Sequence, residues 1–553
     1  MELHEENPFK IRSLNNAIFN LEKSPIALST LTIDEIGKIE GVGKSIAAYI
    51  DDINREGKCV VLEEYKEKTP EGVIEMLDIK GVGPKKIRTI WKTLGVETIE
   101  DLLQACADDK IATLKGFGKK TQENIVEALR YKAANAGKLH YASALPLVEM
   151  LLKEIDTAFP HALISPTGDI RRKMEIIDQV ALLVGTDNFL EVGDFLDTLA
   201  TIEKSGTGSG PFTWRGSFKE SGLPVIVRLC SKQDFHKLLM KHTGTTEHLN
   251  MPLENGGSLM KIINSNPLNS EDEAYSLAEL PYIAPELREG LFEFEMVKEG
   301  KLPQRLIEME DIKGILHNHS TYSDGKHSLE EMAIACRDLG YEYLGISDHS
   351  KTAFYANGLT EERVAEQQAE IDRLNEVLAP FKIFKGIESD ILTTGELDYA
   401  PEVLQTFDFI VASIHTGFTN DIVKNTDRLL HAIQNPFTTI LGHPTGRLLL
   451  RREGYPIDHK AVIDACATHN VIIEINANPW RLDLDWRWVY YALSKNVMLS
   501  INPDAHDKKE YDYMHYGVAV GRKGGLTKER TLNCLSREEV ENIFKLKKSI
   551  VSQ

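Results

Sequence analysis

The sequence has no uninterrupted apolar run of the roughly 18 residues that a helix needs to cross a membrane. Residues 1–12 start with glutamates and lack both the basic start and the apolar stretch of a secretory signal peptide. The six cysteines are scattered and never form the Cys-x-x-Cys spacing of a metal or redox motif. We therefore expect a cytoplasmic protein with reduced cysteines and no membrane partner.

Positive charge is also scarce, because 64 lysines and arginines face 84 aspartates and glutamates and leave a net charge of −20. Proteins that bind nucleic acid by displacing counterions need a basic surface. Any such surface here must be local, or binding must use backbone amides and metal ions. The chain of 553 residues also exceeds the usual size of one core, which predicts several domains.

Three segments of the N-terminal third share an apolar residue, a Gly-x-Gly turn and then amphipathic sequence that begins with lysine or with proline and lysine. Their turns start at Gly41, Gly81 and Gly116. The recurrence indicates an internal repeat, which is a stronger signal than one match. The glycines permit a tight turn and let a phosphate approach the N–H groups of the next helix, and the lysines add positive charge.

This repeat resembles the helix–hairpin–helix element, and the resemblance implies binding to the DNA backbone without sequence readout. We assign residues 1–138 to an α-helical, DNA-binding region. The predicted DNA contacts are Gly41, Gly43, Lys44, Gly81, Gly83, Lys85, Lys86, Gly116, Gly118, Lys119 and Lys120. The alternative is that each Gly-x-Gly merely closes a pair of packed helices.

The middle of the chain contains three short patterns, at residues 165–172, 225–228 and 243–248. Their order and spacing resemble the nucleotidyltransferase palm of family X DNA polymerases, which implies an α+β domain over residues 139–300. Polymerisation in that family needs three carboxylates on one sheet, because they hold the two Mg2+ ions that clamp the triphosphate.

The three carboxylates of such a palm are missing. Counting from the arginine pair at 171–172 puts the first two positions at Gln179 and Ala181 and the third at Ile226. Asp178 does not replace them, since on a strand its side chain points to the face opposite that of Gln179. We predict a palm without polymerase activity, retained for packing or for holding DNA. A polymerase with weak residual activity is the alternative.

From residue 314 onward, short apolar strands alternate with helical sequence, which is typical of a parallel βα fold. Seven strands are predicted, at 314–319, 343–349, 382–388, 409–415, 439–443, 471–476 and 497–506, and six of them end in His, Glu or Asp. The carboxyl ends of parallel barrel strands meet at one rim, so these side chains are expected to lie together.

These strand ends form a candidate metal site. His317 and His319, and likewise Asp504 and His506, are two residues apart and share one side of a strand. With Asp324 from a Ser-Asp-Gly loop, the nine predicted ligands are His317, His319, Asp324, His349, Glu388, His415, His443, Asp504 and His506. Imidazole and carboxylate groups suit Mn2+, Zn2+ or Fe2+, and one ion could not use nine ligands, which implies two or three ions. A lone histidine at a strand end is more often a hydrogen-bonded core residue, but six strand ends agree here.

The motifs that carry these residues, among them His-Asn-His-Ser-Thr-Tyr-Ser-Asp-Gly, Ser-Asp-His-Ser and Asp-Ala-His, resemble the polymerase and histidinol phosphatase (PHP) domain. The resemblance implies an α/β barrel of distorted (β/α)7 form over residues 308–553, with a trinuclear metal centre at the nine positions. Arg447 and Arg481 lie in stretches similar to the PHP domains of bacterial family X polymerases. They are expected to act either as phosphate clamps or as simple salt bridges.

The sequence therefore predicts a metal-dependent phosphoesterase that cleaves DNA in repair, as a 3′–5′ exonuclease or an abasic-site endonuclease. A small-molecule phosphomonoesterase of the histidinol phosphatase type and a non-catalytic DNA-binding scaffold are the alternatives. The three glycine turns favour DNA over a small molecule. The complete ligand set favours an enzyme over a scaffold.

Overall fold

A computed structural model of the chain describes residues 1–22, 27–79, 82–254 and 256–551. Gly81, one of the predicted DNA contacts, lies outside these residues. The chain divides into two compact units, Met1–Ala136 and Gly137–Gln553. No helix among the described residues is both long enough and apolar enough to cross a membrane.

The first unit is built from short helices, as the glycine repeat predicts. Ile87, Ile90 and Trp91 recur at helical spacing and form the buried side of one helix, against Leu102 and Ile125 from two others. The helices are α1 (Pro8–Glu22), α2 (Ile33–Ile36), α3 (Lys44–Glu56), α4 (Val60–Glu67), α5 (Glu71–Glu75), α6 (Pro84–Leu94), α7 (Ile99–Ala107) and α8 (Lys119–Ala134).

The second unit begins with a region of α+β structure. Its elements are β1 (Leu139–His140), α9 (Tyr141–Ala158), β2 (Leu163–Thr167), α10 (Gly168–Arg171), β3 (Ile176–Ile177), β4 (Val180–Gly185), α11 (Phe189–Thr198), β5 (Ile202–Lys204), β6 (Thr213–Phe218), β7 (Pro224–Cys230), α12 (Phe235–Thr243), α13 (Thr246–Asn250), α14 (Leu259–Ser265), α15 (Glu271–Leu277) and α16 (Glu293–Lys298).

Five of these strands form one sheet in the order β2-β4-β7-β6-β5, in which only β4 and β7 are parallel neighbours. Leu182, Val227 and Trp214 alternate onto one face of the sheet and pack against α9 and α11. On the other face, Phe235 of α12 packs on Leu183. The sheet therefore carries helices on both sides.

The rest of the unit is a parallel βα barrel. Its elements are β8 (Gly314–Ile315), α17 (Leu329–Asp338), β9 (Tyr343–Ile346), α18 (Glu361–Val377), β10 (Lys382–Asp390), α19 (Pro401–Leu404), β11 (Phe409–Ser413), α20 (Ile422–Gln434), β12 (Ile440–Leu441), α21 (His459–His469), β13 (Ile472–Asn476), α22 (Trp486–Ser494), β14 (Leu499–Asn502), α23 (Met514–Lys523) and α24 (Arg537–Val551).

The seven barrel strands pair in chain order from β8 to β14, each parallel to the next. The chain beyond β14 returns to the chain beyond β8, where the His319 amide donates to the Ala505 carbonyl at 2.8 Å. The predicted seven-stranded α/β barrel is confirmed. Its strands read as continuous apolar runs because both of their faces are covered.

Six of the seven barrel strands are shorter than predicted, whereas β10 extends two residues further, to Asp390. Strand bounds matter at two places. Most of the candidate ligands stand in the segments just after the strands, so the metal site is built largely from loops at one rim. In the α+β region, β3 ends at Ile177 and β4 begins at Val180. Asp178 and Gln179 therefore lie between two strands, and the alternation used to direct Asp178 away from the sheet does not apply to them.

Candidate metal centre

The structure brings the predicted ligands together at the carboxyl end of the barrel. Eight of the nine fall into three groups whose ligand atoms lie within 4.8 Å of one another, close enough to hold a metal ion. The groups are His319, Asp324, His349 and His506; His317, His319 and Asp504; and His349, Glu388 and His415. His319 and His349 each belong to two groups, so the groups form one continuous cluster.

Glu388 lies at the centre of this cluster, where it is almost completely buried. Its carboxylate oxygens lie 3.0 Å from His349 Nδ1, 3.1 Å from His415 Nε2 and 2.9 Å from His443 Nε2. His443, which belongs to none of the three groups, thus joins the cluster through Glu388. Burial would raise the pKa of Glu388, but the surrounding imidazoles hold it well below its usual value, so the group is a carboxylate.

Asp504 and Asp324 hold the other side of the cluster. Asp504 Oδ1 lies 3.0 Å from His319 Nε2 and 3.5 Å from His317 Nε2. Asp324 Oδ1 lies 3.3 Å from His506 Nε2. Both aspartates have lowered pKa values in spite of their burial, because histidines surround them. Carboxylates and imidazoles therefore alternate through the cluster.

Two further carboxylates orient histidines of the cluster by contacting the ring nitrogen that points away from it. His317 Nδ1 lies 2.7 Å from Glu474 Oε2, and His415 Nδ1 lies 2.5 Å from Asp390 Oδ1. Each carboxylate holds the Nδ1 side of its ring, which turns Nε2 towards the cluster. This is the arrangement in which a carboxylate fixes the tautomer and direction of a metal-binding histidine.

The cluster also contains buried polar atoms with no hydrogen-bond partner among the described residues. They include His317 Nε2, His319 Nδ1 and His443 Nδ1. Buried polar atoms in folded proteins are nearly always bonded, so three orphaned ring nitrogens in one place call for a ligand. Burial lowers the pKa of His349 to about 3, against the attraction of Glu388, which leaves this ring neutral and ready to coordinate. The donor set fits divalent transition-metal ions.

Comparisons with known proteins agree with this geometry. A helix-hairpin-helix domain model matches residues 1–59, a SAM-like helix-hairpin-helix tandem model matches residues 73–132, and a PHP domain model matches residues 316–478. The DNA polymerase/3′-5′ exonuclease PolX of Bacillus subtilis (strain 168) is 37% identical over 562 residues, which cover 99% of this chain and 97% of that protein. The chain belongs to the PolX family.

Shorter relatives match only the barrel. A probable phosphatase of Thermoanaerobacter sp. (strain X514) is 28% identical over 170 residues, 29% of this chain and 67% of its own. A probable phosphatase of Vibrio atlanticus (strain LGP32) is 28% identical over 208 residues, 35% of this chain and 79% of its own. The predicted resemblance to bacterial family X polymerases with a PHP domain is confirmed, and the chain is a hydrolytic enzyme of the PHP phosphoesterase type.

The two predicted arginines of this PolX-family chain have different surroundings. Arg447 is largely buried, donates through Nε to the Arg481 carbonyl at 2.8 Å, and also contacts Asp485 and the Leu482 carbonyl. Its guanidinium is committed to these partners, which favours the salt-bridge interpretation. Arg481 Nε lies 3.7 Å from Asp504 Oδ2, at the edge of the cluster, where a phosphate clamp would stand.

The palm positions lie together but carry no carboxylate. Ala181 on β4 and Ile226 on β7 are direct neighbours in the sheet, and Gln179 stands just before β4. The two arginines nearby are paired with carboxylates of the same region. Arg171 bonds Glu271 through both terminal nitrogens, and Arg172 bonds Glu289 and Asp169.

The three glycine turns form matching helix N-termini. Gly43, Gly83 and Gly118 are the N-cap residues of α3, α6 and α8, and none has a capping side chain. Lysines follow directly in each first turn, and none of the ion pairs among the described residues includes them: Lys44, Lys85, Lys86, Lys119 and Lys120. Gly41 and Gly116 have φ values of 78° and 85°, which explains glycine at these two positions.

Sequence reasoning missed three residues of the site. Glu474 could have been found, because it is a charged residue inside the apolar strand 472–476. Asp390 also gave a signal, since it stands two residues after Glu388 on the same strand. Tyr355 gave none. Its exposed ring stands with its centroid 6.2 Å from that of His349, on a loop whose path the sequence does not reveal.

Proposed function

We propose that this chain is a metal-dependent DNA phosphodiesterase of the repair machinery. It would act as a 3′–5′ exonuclease or abasic-site endonuclease, in the cytoplasm, with its polymerase palm inactive. The observation that carries the proposal is the gathering of the predicted ligands into one cluster that contains buried ring nitrogens without hydrogen-bond partners. The Bacillus subtilis relative, similar over nearly the whole chain, bears the name of a 3′-5′ exonuclease.

The proposed domains are a helix–hairpin–helix region at 1–138, a degenerate palm at 139–300 and the PHP barrel at 308–553. The nine predicted residues are proposed as ligands of two to three Mn2+, Zn2+ or Fe2+ ions. Such ions supply Lewis acidity and lower the pKa of water for attack on phosphorus. Glu474 and Asp390 hold the imidazoles of His317 and His415, and Arg481 faces the substrate phosphate from the edge of the cluster.

DNA is favoured as the substrate by the first unit. Each turn leads into a helix N-terminus without a side-chain cap, followed by lysines that form no ion pair among the described residues, and such features bind a phosphate backbone without reading bases. A phosphatase for a small molecule has no use for such elements. The palm is proposed to be inactive because no carboxylate stands at Gln179, Ala181 or Ile226.

The test compares 3′-labelled DNA with histidinol phosphate, both supplied with Mn2+. Wild-type protein should contain two to three equivalents of transition metal and should shorten the DNA from its 3′ end, and a chelator should abolish this. His319→Ala and Asp504→Ala should lower the nuclease rate by several orders of magnitude. Their melting temperatures should stay near that of the wild type at matched metal loading, because both side chains stand at the rim and not in the barrel core.

A second set of variants tests whether the first unit binds DNA. Replacing Lys85, Lys86, Lys119 and Lys120 by Gln should weaken DNA binding for all sequences and flatten its salt dependence. Metal content and cleavage of a chromogenic phosphodiester should not change. Preference for histidinol phosphate over DNA would instead identify a small-molecule phosphatase, and near-normal nuclease rates in the ligand variants would refute the metal centre.

A further inference from the structure

In the palm sheet, apolar and basic residues stand where a polymerase has its metal-binding carboxylates. Ile226 is paired with Ala181 across β7 and β4, and with Arg215 across β7 and β6. Arg228 stands two residues along β7 and therefore projects from the same face as Ile226. This is the face opposite the core side, which holds Val227.

The end of α12 borders this face. A Cβ placed on Gly168 would lie 3.9 Å both from the Ala181 side chain and from the His242 carbonyl oxygen, so the end of the helix adjoins a lost carboxylate position. Lys241 and His242 come just before Thr243, the last residue of α12, and both are half-buried. We call Arg215, Arg228, Lys241 and His242 the basic face.

The cations of the basic face form no ion pair with a described carboxylate, although Glu203 of β5, paired with Ser217, projects from the same side of the sheet. None of the ion pairs among the described residues includes Arg215, Arg228 or Lys241. Burial and the neighbouring Arg215 lower the pKa of Arg228, and burial, Arg228 and Lys241 lower the pKa of His242 to about 4. Arg228 is thus a half-buried cation beside the exposed Arg215, and His242 next to them is neutral at pH 7.

The arginine pair at the end of α10 provides the contrast. Arg171 and Arg172 are fully paired with Glu271, Glu289 and Asp169. Carboxylates therefore pair with Arg171 and Arg172, but none of the described ion pairs includes Arg215 or Arg228. Burying an arginine without a partner costs free energy. A bound phosphate would remove that cost, because its oxygens accept hydrogen bonds from the guanidinium.

We propose that the basic face binds a phosphate of the DNA backbone directly, without metal ions, at the place where a polymerase would hold its metal-bound substrate. The proposal rests on the proposed function, because it takes DNA as the substrate. A nucleotide triphosphate is the other source of phosphate. It is disfavoured because the nearby arginine pair is already occupied by carboxylates, and none of Gln179, Ala181 and Ile226 offers a carboxylate to Mg2+.

The test uses the full-length protein and the double variant Arg215→Gln/Arg228→Gln. Its matched control is Lys153→Gln/Lys219→Gln, which removes the same charge from exposed positions of the same region, one of them on α9 across the sheet. The arginine variant should bind DNA about tenfold more weakly, and the slope of log affinity against log salt should fall by about 1 to 2. The control should bind like the wild type. Arg228→Lys, which keeps the charge, should recover part of the loss.

A second pair of variants restores the missing charge instead of removing the arginines. Ile226 is buried, and Ile226→Asp puts a carboxylate beside Arg215 and Arg228. Ile226→Asn is the uncharged control of nearly the same size. DNA affinity should fall in the aspartate variant only. Comparing the two at equal melting temperature separates charge from folding.

The readouts also separate this proposal from the proposed function. Metal content and cleavage of a chromogenic phosphodiester should be unchanged in all of these variants. If the wild type fails to cleave DNA but its DNA binding still depends on Arg215 and Arg228, the proposed nuclease function is wrong and the phosphate site on the basic face is supported. Equal DNA affinity and salt slope in the arginine variant and its control would overturn the site. So would binding of dATP that the arginine variant loses while DNA binding persists.

Discussion

Glu474 Oε2 and His317 Nδ1 lie 2.7 Å apart, and both side chains are completely buried. Burial alone would lower the pKa of His317, but the carboxylates of Glu474, Asp504 and Glu388 raise it well above its usual value. The same contact fixes the ring so that Nε2 faces the cluster, where it lies 3.4 Å from Glu388 Oε1 and 3.5 Å from Asp504 Oδ1 but has no hydrogen-bond partner among the described residues. Glu474 therefore acts through His317, as a positioning residue.

The first prediction is that Glu474→Gln weakens metal binding on the order of 10- to 100-fold. Glutamine has nearly the same volume, but it is a weaker acceptor and no longer favours one tautomer of His317. Metal titration followed by mass spectrometry measures the loss, and excess Mn2+ should restore much of the activity.

The control for this variant is Glu293→Gln. Glu293 makes an equally buried 2.7 Å contact with His248 Nδ1, away from the metal cluster. Its replacement should lower the melting temperature without changing metal affinity. Equal metal affinity in the Glu474 variant and the wild type would show that His317 needs no such support.

The candidate ligands were predictable because each one is a polar residue at the end of an apolar strand, and the parallel topology then requires them to meet. The role of Glu474 was harder to predict, since a charge inside an apolar strand shows that it has a partner but not which one. The contrast between Arg447 and Arg481 was not predictable at all. It depends on the path of the loop after β13, which places the Arg481 carbonyl against Arg447.

The second prediction separates these two arginines. Arg447→Gln should lower the free energy of unfolding by about 1 to 3 kcal/mol, because two carbonyls lose their donor and Asp485 keeps only Arg487 as its partner. Arg481→Gln should leave the melting temperature nearly unchanged but lower kcat/KM for DNA about 10- to 100-fold, as expected for a lost charged contact to phosphate. Thermal melts and steady-state kinetics distinguish the two outcomes. A kinetic defect in a fully folded Arg447 variant would reverse the assignment.

The third prediction concerns the palm. No nucleotide should be incorporated on gapped DNA with Mg2+ or Mn2+, because Ala181 and Ile226 offer no metal ligand. The assay should use the Asp504→Ala protein, so that 3′ degradation does not hide extension. Extension that persists in this variant and disappears on replacement of Arg171 or Arg172 would mean that the palm polymerises by another ligand set.

The last prediction concerns the second glycine of each turn. Gly43 and Gly83 have φ values of −80° and −68°, which any residue adopts, and a Cβ at either position would meet nothing within 4 Å. Neither the backbone nor the packing requires glycine there. Space left open at a helix N-terminus is what the close approach of a phosphate needs.

Gly43→Ala/Gly83→Ala should therefore fold normally and bind DNA about tenfold or more weakly, because each added methyl group keeps a phosphate from the helix N-terminus. Its melting temperature should change little, since the lower entropy of the unfolded chain offsets the poorer N-cap. Gly57→Ala/Gly95→Ala is the matched control at the other ends of α3 and α6, where φ is 70° and 68°. That variant should lose stability but keep its DNA affinity while folded. If the first variant binds DNA as well as the wild type, the turns only pack helices, and the first unit gives no support to DNA as the substrate.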